Sequence, residues 1–309
     1  MILSVSRRTD IPAFYADWFF NRIKEGFLYV RNPMNIHQVS KINLSPSVID
    51  CIVFWSKNPK PMIDRLDELK DYMYYFQFTI NPYDIKLEEC VPTKSGIIST
   101  FKKLSNKIGP ERVIWRYDPI ILTDTLTMEY HVKYFEELAK RLEGLTKTCV
   151  ISFVDLYKKT ERNLKGTTAR ELSQSEMLKL ATHLALIAKR YGITVQSCAE
   201  KIELASVGIQ HGHCIDNVLI EDLLGVKLVV SKDKNQRPEC GCVQSIDVGE
   251  YNTCKHLCKY CYANFNAHKV HEKILKLNPE SPLLIGEVMP EDKITERKIF
   301  SFISHKGLF

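Results

Sequence analysis

Six short runs of β-branched, aromatic and aliphatic residues punctuate the first two-thirds of the chain, at 2–6, 51–55, 74–79, 112–115, 149–153 and 193–197. Each is followed by a polar cluster and then by apolar positions at helical spacing. Continuous apolar runs of this length, separated by about one helix plus loops, predict parallel strands buried on both faces. The helical pattern is clearest from Ser173: Glu176 completes a capping box, Leu178, Ala181, Leu184 and Ala188 share a face, and Gly192 ends the helix. Stretches at 14–24 and 128–142 are amphipathic by the same test. The pattern therefore predicts an α/β fold, a TIM-like (β/α) barrel or partial barrel of about six parallel βα units over residues 1–200. Residues 201–309 read as a cysteine-rich segment of the same compact domain that closes the mouth.

In such a fold the carboxyl ends of the strands share one rim. The exits read Arg7-Arg8-Thr9-Asp10, Ser56-Lys57-Asn58-Pro59, Thr79-Ile80-Asn81-Pro82, Arg116-Tyr117-Asp118-Pro119, Val154-Asp155 and Cys198-Ala199-Glu200. Asn-Pro and Asp-Pro are ordinary turn formers, and a charge at a strand end is often merely solvated. Recurrence at every exit is what points to a shared site. Arg116, beside Trp115, Tyr117 and Asp118, is the first candidate, because a guanidinium can grip a carboxylate or phosphate through two hydrogen bonds.

Composition narrows the class. The 309 residues carry a net charge of +6 and ten cysteines. A mild positive charge permits an anionic substrate without requiring nucleic acid. The N-terminus shows no signal peptide and no stretch approaches a membrane span. The expectation is a cytoplasmic protein with reduced thiols and no membrane partner.

Five of the ten cysteines fall between 239 and 264, and the last three, Cys254, Cys258 and Cys261, read CxxxCxxC with Tyr260 before the third. That spacing lets three thiolates converge on three corners of a cubane iron–sulfur cluster and leaves the fourth iron open. Soft thiolates select such clusters, zinc or copper(I). Zinc is the competing reading, with His256, His211, His213 or the Cys240/Cys242 pair completing a tetrahedron. Cys198, Cys214, Cys240 and Cys242 make a full ligand set for a second cluster or a zinc, against the plainer reading that free cysteines are small buried hydrophobes. Cys51, Cys90 and Cys149 read as core or incidental.

The run through Cys254, Cys258, Tyr260 and Cys261 resembles the cluster loop of radical S-adenosylmethionine (SAM) enzymes, although it lies late in the chain. The resemblance implies a 4Fe-4S cluster that takes SAM at its open iron, an electron donor such as ferredoxin or flavodoxin, and radical chemistry on a small, anionic substrate. It makes Tyr260, Arg7, Arg8, Lys57, Gly286 and Glu287 cofactor-binding candidates, and Arg116, Asp118, Asp155 and Glu200 catalytic ones. In those enzymes the loop follows a strand and precedes a helix, and the next strand ends in a Gly-Glu-like segment that contacts SAM. Here 263–276 reads as a helix and 282–287 as a short strand ending in Gly286-Glu287, which suggests a permuted arrangement.

Arg-Arg-Thr-Asp-Ile-Pro-Ala at 7–13, Phe-Trp-Ser-Lys-Asn-Pro at 54–59, Trp-Arg-Tyr-Asp-Pro at 115–119, Cys-Gly-Cys at 240–242, the 253–263 run and Asp-Lys-Ile-Thr-Glu-Arg at 292–297 together resemble the bacterial family of domain of unknown function 1848. That likeness spans nearly the whole chain and leaves the reaction open. Two other readings stand beside it. One is a barrel enzyme with a structural zinc or cluster and non-redox chemistry. The other is a nucleic-acid binding or repair protein akin to spore photoproduct lyase, less favoured because the lysines are scattered rather than aligned in a basic stripe.

Overall fold

All six apolar runs become strands in the computed structural model, which describes residues 1–304; the last five positions of the expected C-terminal segment lie outside them. They are β1 (Ile2–Val5), β4 (Cys51–Ser56), β5 (Tyr74–Thr79), β6 (Val113–Ile120), β7 (Thr148–Phe153) and β8 (Thr194–Ser197). Between β1 and β4 runs a hairpin, β2 (Phe27–Asn32) and β3 (Asn35–Asn43). Later in the chain come β9 (Gln210–His211), β10 (Ile246–Asp247) and β11 (Lys293–Glu296). The main sheet has eight strands in the order β10-β1-β4-β5-β6-β7-β8-β9, every neighbouring pair parallel.

Both faces of this sheet are apolar, as the continuous runs require. Leu3, Val5, Phe54, Phe76, Trp115 and Ile151 point into one core with the helices Ala16–Glu25, Lys94–Ile108, Met128–Leu142 and Gln174–Arg190. Ile2, Val53, Tyr75, Ile114 and Val150 point the other way, into a second core with Cys214, Ile215, Ile220, Cys240, Cys242 and Val243. The helices therefore cover one face, and the segment between β9 and β10 covers the other.

A closed barrel is not what forms. The eight strands make an open sheet whose edges are β10 and β9, and among the described residues no pairing joins them. The two strands beyond the expected six are only two residues long, too short to stand out from loops by hydrophobic pattern. The hairpin was also hidden, because residues 35–38 of β3 are exposed and polar or mixed; it forms a second sheet with β11. The strand expected at 282–287 reduces to one bridge between Leu283 and Tyr29, against that hairpin and away from the main sheet. The expected helices at 14–24, 128–142 and from Ser173 all form, the last with its capping box. Among the described residues no helix is long and apolar enough to cross a membrane.

His131, on the helix Met128–Leu142, is fully buried between two polar partners. The Tyr117 hydroxyl lies 2.8 Å from Nδ1 and the Ile121 carbonyl 2.9 Å from Nε2. One nitrogen can accept and the other donate, an arrangement suited to the neutral ring. Burial lowers its pKa to about 4. The unfolded chain protonates this residue near pH 6.5, so its contribution is complete above that pH and is lost as pH falls towards 4, about 3 kcal/mol in all. Urea unfolding between pH 7 and 4.5 should show a smaller loss of stability in His131→Gln than in the native chain; equal slopes would exclude His131 as a source.

Candidate functional site

The rim is assembled by β10, although only Ile246 and Asp247 belong to it. The Asp247 carboxylate accepts hydrogen bonds from Ser4 Oγ (2.9 Å), Ser6 Oγ (2.7 Å), the Arg7 backbone N–H (2.8 Å) and the Gly249 N–H (3.0 Å). A side chain at 249 is excluded: a Cβ there would stand 1.9 Å from Ser6 Oγ. The chain then passes directly from the carboxyl end of β10 into the cysteine loop.

That loop docks on the exits of β1, β4 and β5. Asp10, at the exit of β1, accepts from Ser56 Oγ (2.7 Å), the Lys57 N–H (2.7 Å) and His256 Nε2 (2.8 Å), and caps the short helix that follows through Ala13 N–H (2.9 Å). Glu88, in the segment after β5, holds Lys57 Nζ at 2.8 Å and also binds Lys94 and the Tyr260 hydroxyl. Backbone contacts lock the same segment to the loop, from Cys90 N–H to the His256 carbonyl (3.1 Å) and from Lys259 N–H to Leu87 (3.0 Å). Lys57 also sits 5.5 Å from the centre of the Tyr260 ring.

Of the three loop cysteines, Cys258 is buried and Cys254 and Cys261 are half-buried. Burial, then the neighbouring Cys261, Asp10 and Cys258, pushes the Cys254 thiol well up. Burial pushes Cys258 up to about 12 despite Lys57. The Ala263 N–H points at Cys261 Sγ from 3.4 Å. Leu257, between the first two cysteines, has φ +52°, a left-handed conformation costly for a bulky side chain and typical of over-determined functional loops. Cys90 is exposed.

Buried polar atoms without a partner concentrate here. Among the described residues there are five in side chains: Thr9 Oγ1, Asn81 Oδ1, His256 Nδ1, Asn264 Oδ1 and Arg22 Nε. The first four belong to the loop or to the strand exits against it. Asn81 donates to the Tyr260 hydroxyl at 3.3 Å, and Asn264 to the Cys254 carbonyl at 2.8 Å. Buried polar groups are nearly always satisfied, so four open atoms in one place are a concentration that sets this rim apart.

The other candidates divide. Arg7 and Arg8 stand at the rim, 3.9 and 3.8 Å from Asp247, with Arg8 over the Tyr251 ring at 5.2 Å. Beside them is a cleft of about 250 Å³ between the hairpin and residues 248–252, lined by Arg8, Tyr29, Arg31, Tyr251, Lys273 and Leu284. Arg116 is buried and already engaged: it pairs with Asp118 through two nitrogens and donates to Cys214 Sγ at 2.7 Å. Asp155 pairs with Arg237 at 2.5 Å near the surface. Glu200 accepts from the Phe153 N–H at 2.8 Å, and burial raises its pKa to about 7. Gly286 and Glu287 lie apart, with Glu287 bound to Asn278 and Arg31.

Cys198, Cys214, Cys240 and Cys242 come together on the second face. Cys198 and Cys214 sulfurs are 3.1 Å apart, and Cys240 and Cys242 join them in the apolar cluster of that face, with Cys242 Sγ 3.4 Å from the Ile215 N–H. Among the described residues no group of three or more His, Cys, Asp or Glu side chains is already arranged to hold a metal ion.

Sequence pattern missed Glu88 and Asp247 as site residues; it had Asp10 only as the last residue of a charged strand exit and His256 only as a completing ligand for zinc. Glu88 and Asp247 had no signal, because the partners that tie them to the rim, Lys57 and Tyr260 for the first and Ser6 and Ser4 for the second, lie 31 and 172, and 241 and 243, residues away.

Fold and site together define a parallel α/β protein with a cysteine loop on the carboxyl rim of its sheet. The chain belongs to the family described as domain of unknown function DUF1848, whose profile matches residues 2–263. Neither the curated proteins nor the solved structures give a match.

The Glu88 carboxylate tests the rim directly. Burial works against its charge, yet Lys57 and Lys94 outweigh burial and bring its pKa down to about 2. Its side chain is 1% exposed, so Glu88→Gln would strand a buried Lys57 charge and should cost about 3 kcal/mol in urea unfolding. Glu88→Gln/Lys57→Met should recover most of that loss. A double variant no more stable than the single one would show that the pair is not the source.

Proposed function

We propose that this chain is an iron–sulfur enzyme of radical SAM type, with Cys254, Cys258 and Cys261 holding a 4Fe-4S cluster. The observation that carries the reading is the set of unpartnered buried atoms of Thr9, Asn81, His256 and Asn264 around the three loop cysteines. The donor set fits the group: the loop supplies three soft ligands and no fourth, and an N–H is aimed at Cys261 Sγ. Chain order supports it as well. A strand, β10, leads into the loop, and the helix Ala267–Ile274 follows it, the order seen in radical SAM enzymes.

The permutation differs from the one the pattern suggested. The neighbour of β10 is β1, so the exit of β1, and not Gly286-Glu287, stands beside the cysteine loop. SAM contacts are accordingly assigned to Arg7, Arg8, Lys57 and Tyr260, with Gly286 and Glu287 left out.

Cys254, Cys258 and Cys261 would hold the cluster, which when bound would supply the one-electron reduction that reductive cleavage of SAM requires. The protein's residues position and shield. Asp10 fixes His256 and the Lys57 backbone, which sets the height of the loop over the sheet. Glu88 clamps Lys57 and Tyr260 and excludes water from the thiols. Arg7, beside Asp247 and Asp233 and donating to Ser245 Oγ, and Arg8, beside Asp247 and donating to the Gly249 carbonyl, hold these partners at 3.3 to 3.9 Å and can turn N–H groups to the carboxylate of SAM or to an anionic substrate entering from the cleft. Arg116 is spoken for by Asp118 and Cys214, so it orders the rim and does not grip substrate.

Anaerobically purified chain should contain roughly four irons and four sulfides at the loop. Reduced by a ferredoxin- or flavodoxin-type donor, it should cleave SAM reductively. Cys258→Ala should lose both properties. A chain that binds no iron after reconstitution, or a Cys258→Ala variant that cleaves SAM at the native rate, would sink the reading.

A further inference from the structure

The second cysteine set lies on the second face of the sheet and is independent of the reading above. Cys198 follows β8 and Cys214 follows β9, at one edge of the open sheet. Cys240 and Cys242 sit in the segment that enters β10, at the other edge. The four side chains nevertheless gather in one apolar cluster, with the Cys198 and Cys214 sulfurs 3.1 Å apart, Cys214, Cys240 and Cys242 buried and Cys198 half-buried.

Four such thiols could be a hydrophobic cluster, and their neighbours argue otherwise. Arg116 donates to Cys214 Sγ at 2.7 Å and the Ile215 N–H points at Cys242 Sγ from 3.4 Å. Thiols are weak acceptors, whereas thiolates attract such donors. The Cys214 carbonyl is pinned by the Tyr75 hydroxyl at 2.7 Å and by Gln77 Nε2 at 2.9 Å, both from β5. At Gly241 a Cβ would fall 2.2 Å from the His213 ring, so only glycine lets the Cys-Gly-Cys turn approach the 211–214 segment this closely.

We propose that Cys198, Cys214, Cys240 and Cys242 form a tetrathiolate site for one zinc ion that staples the two edges of the sheet together. Sulfurs this close suit a single tetrahedral ion: a Zn–S bond of about 2.3 Å places the ligands about 3.8 Å apart, slightly wider than the 3.1 Å between Cys198 and Cys214. A cubane would need its four thiolates on four separate corners. Binding releases thiol protons to solvent and changes no oxidation state. The bound ion with four thiolates carries a charge of −2, and Arg116 lies against it.

The test uses the full chain with the loop cysteines removed, Cys254→Ala/Cys258→Ala/Cys261→Ala, so that loss of the cluster and loss of this site are read separately. Metal analysis should find one zinc per chain in that variant and in the native protein. Cobalt replacing zinc should give the intense visible bands of a tetrahedral thiolate complex. Cys242→Ser should release the metal, and Cys90→Ser, at an exposed cysteine, should retain it. If Cys242→Ser does not fold, the zinc content and cobalt spectrum of the loop variant still decide the matter. Absence of stoichiometric metal there, iron with sulfide in its place, or a Cys198–Cys214 disulfide found by peptide mapping would each overturn the proposal.

Discussion

The pairing of β10 with β1 is the constraint on which the site depends. Two residues of strand make few ladder hydrogen bonds, and they join parts of the chain about 240 residues apart. A contact of such long range pays loop-closure entropy before it gains anything. Asp247 makes it hold, by gathering two hydroxyls and two backbone N–H groups of the β1–β10 junction on one carboxylate. Hydrogen bonds to a charged group are the stronger kind, at about 1.5–3 kcal/mol each. With β10 in place, the cysteine loop emerges at the carboxyl rim, because all its neighbours are parallel.

The second face of the sheet supplies the reason that the late segment comes back at all. The four long helices cover only the side of Leu3, Phe54, Phe76 and Trp115. Ile2, Val53, Tyr75, Ile114 and Val150 would otherwise face water. Ile215, Ile220 and Val243 cover them, and each such side chain fully buried is worth about 1.5–3 kcal/mol. Burial thus delivers the 214–243 segment to the inner face, and that delivery sets Cys240 and Cys242 against Cys214 and leads the chain to β10. The cover of the core and the placement of the cysteine loop are consecutive parts of one path.

Much of this was legible in residue patterns, and the failures share a cause. The six long strands and the capped helix at Ser173 declare themselves through local periodicity. So did the loop cysteines, whose spacing is a local matter. The open edges were not legible: β9 and β10 are too short to carry a period, and their pairing is set by partners far away in sequence. The hairpin β2–β3 escaped because its tip is exposed and polar. Gly286-Glu287 misled for the opposite reason. A short apolar run ending in Gly-Glu looks like a strand of the main sheet, yet Leu283 pairs with Tyr29 of the hairpin, and the rim position beside β10 was already filled by β1. Arg116 was legible as a charge at a strand exit that could grip an anion, whereas its burial against Cys214, 98 residues on, was not.

The two sulfur sets differ in the charges around them, and the difference follows their proposed loads. The four-cysteine set has a fixed cation against it, Arg116 on Cys214 Sγ. Four thiolates around a divalent ion leave −2, which a poorly polarisable interior tolerates only beside fixed cations. The loop set has mixed company, Lys57 against Glu88 and His256 against Asp10. Three thiolates on a cluster core of charge +2 leave only −1, so little compensation is required. A near-neutral rim, with Arg7 and Arg8 at its edge, can accept a charged small molecule and let it go, whereas the arginine-bound set would hold its ion for the life of the fold. The surroundings thus suit one site to exchange and the other to permanence.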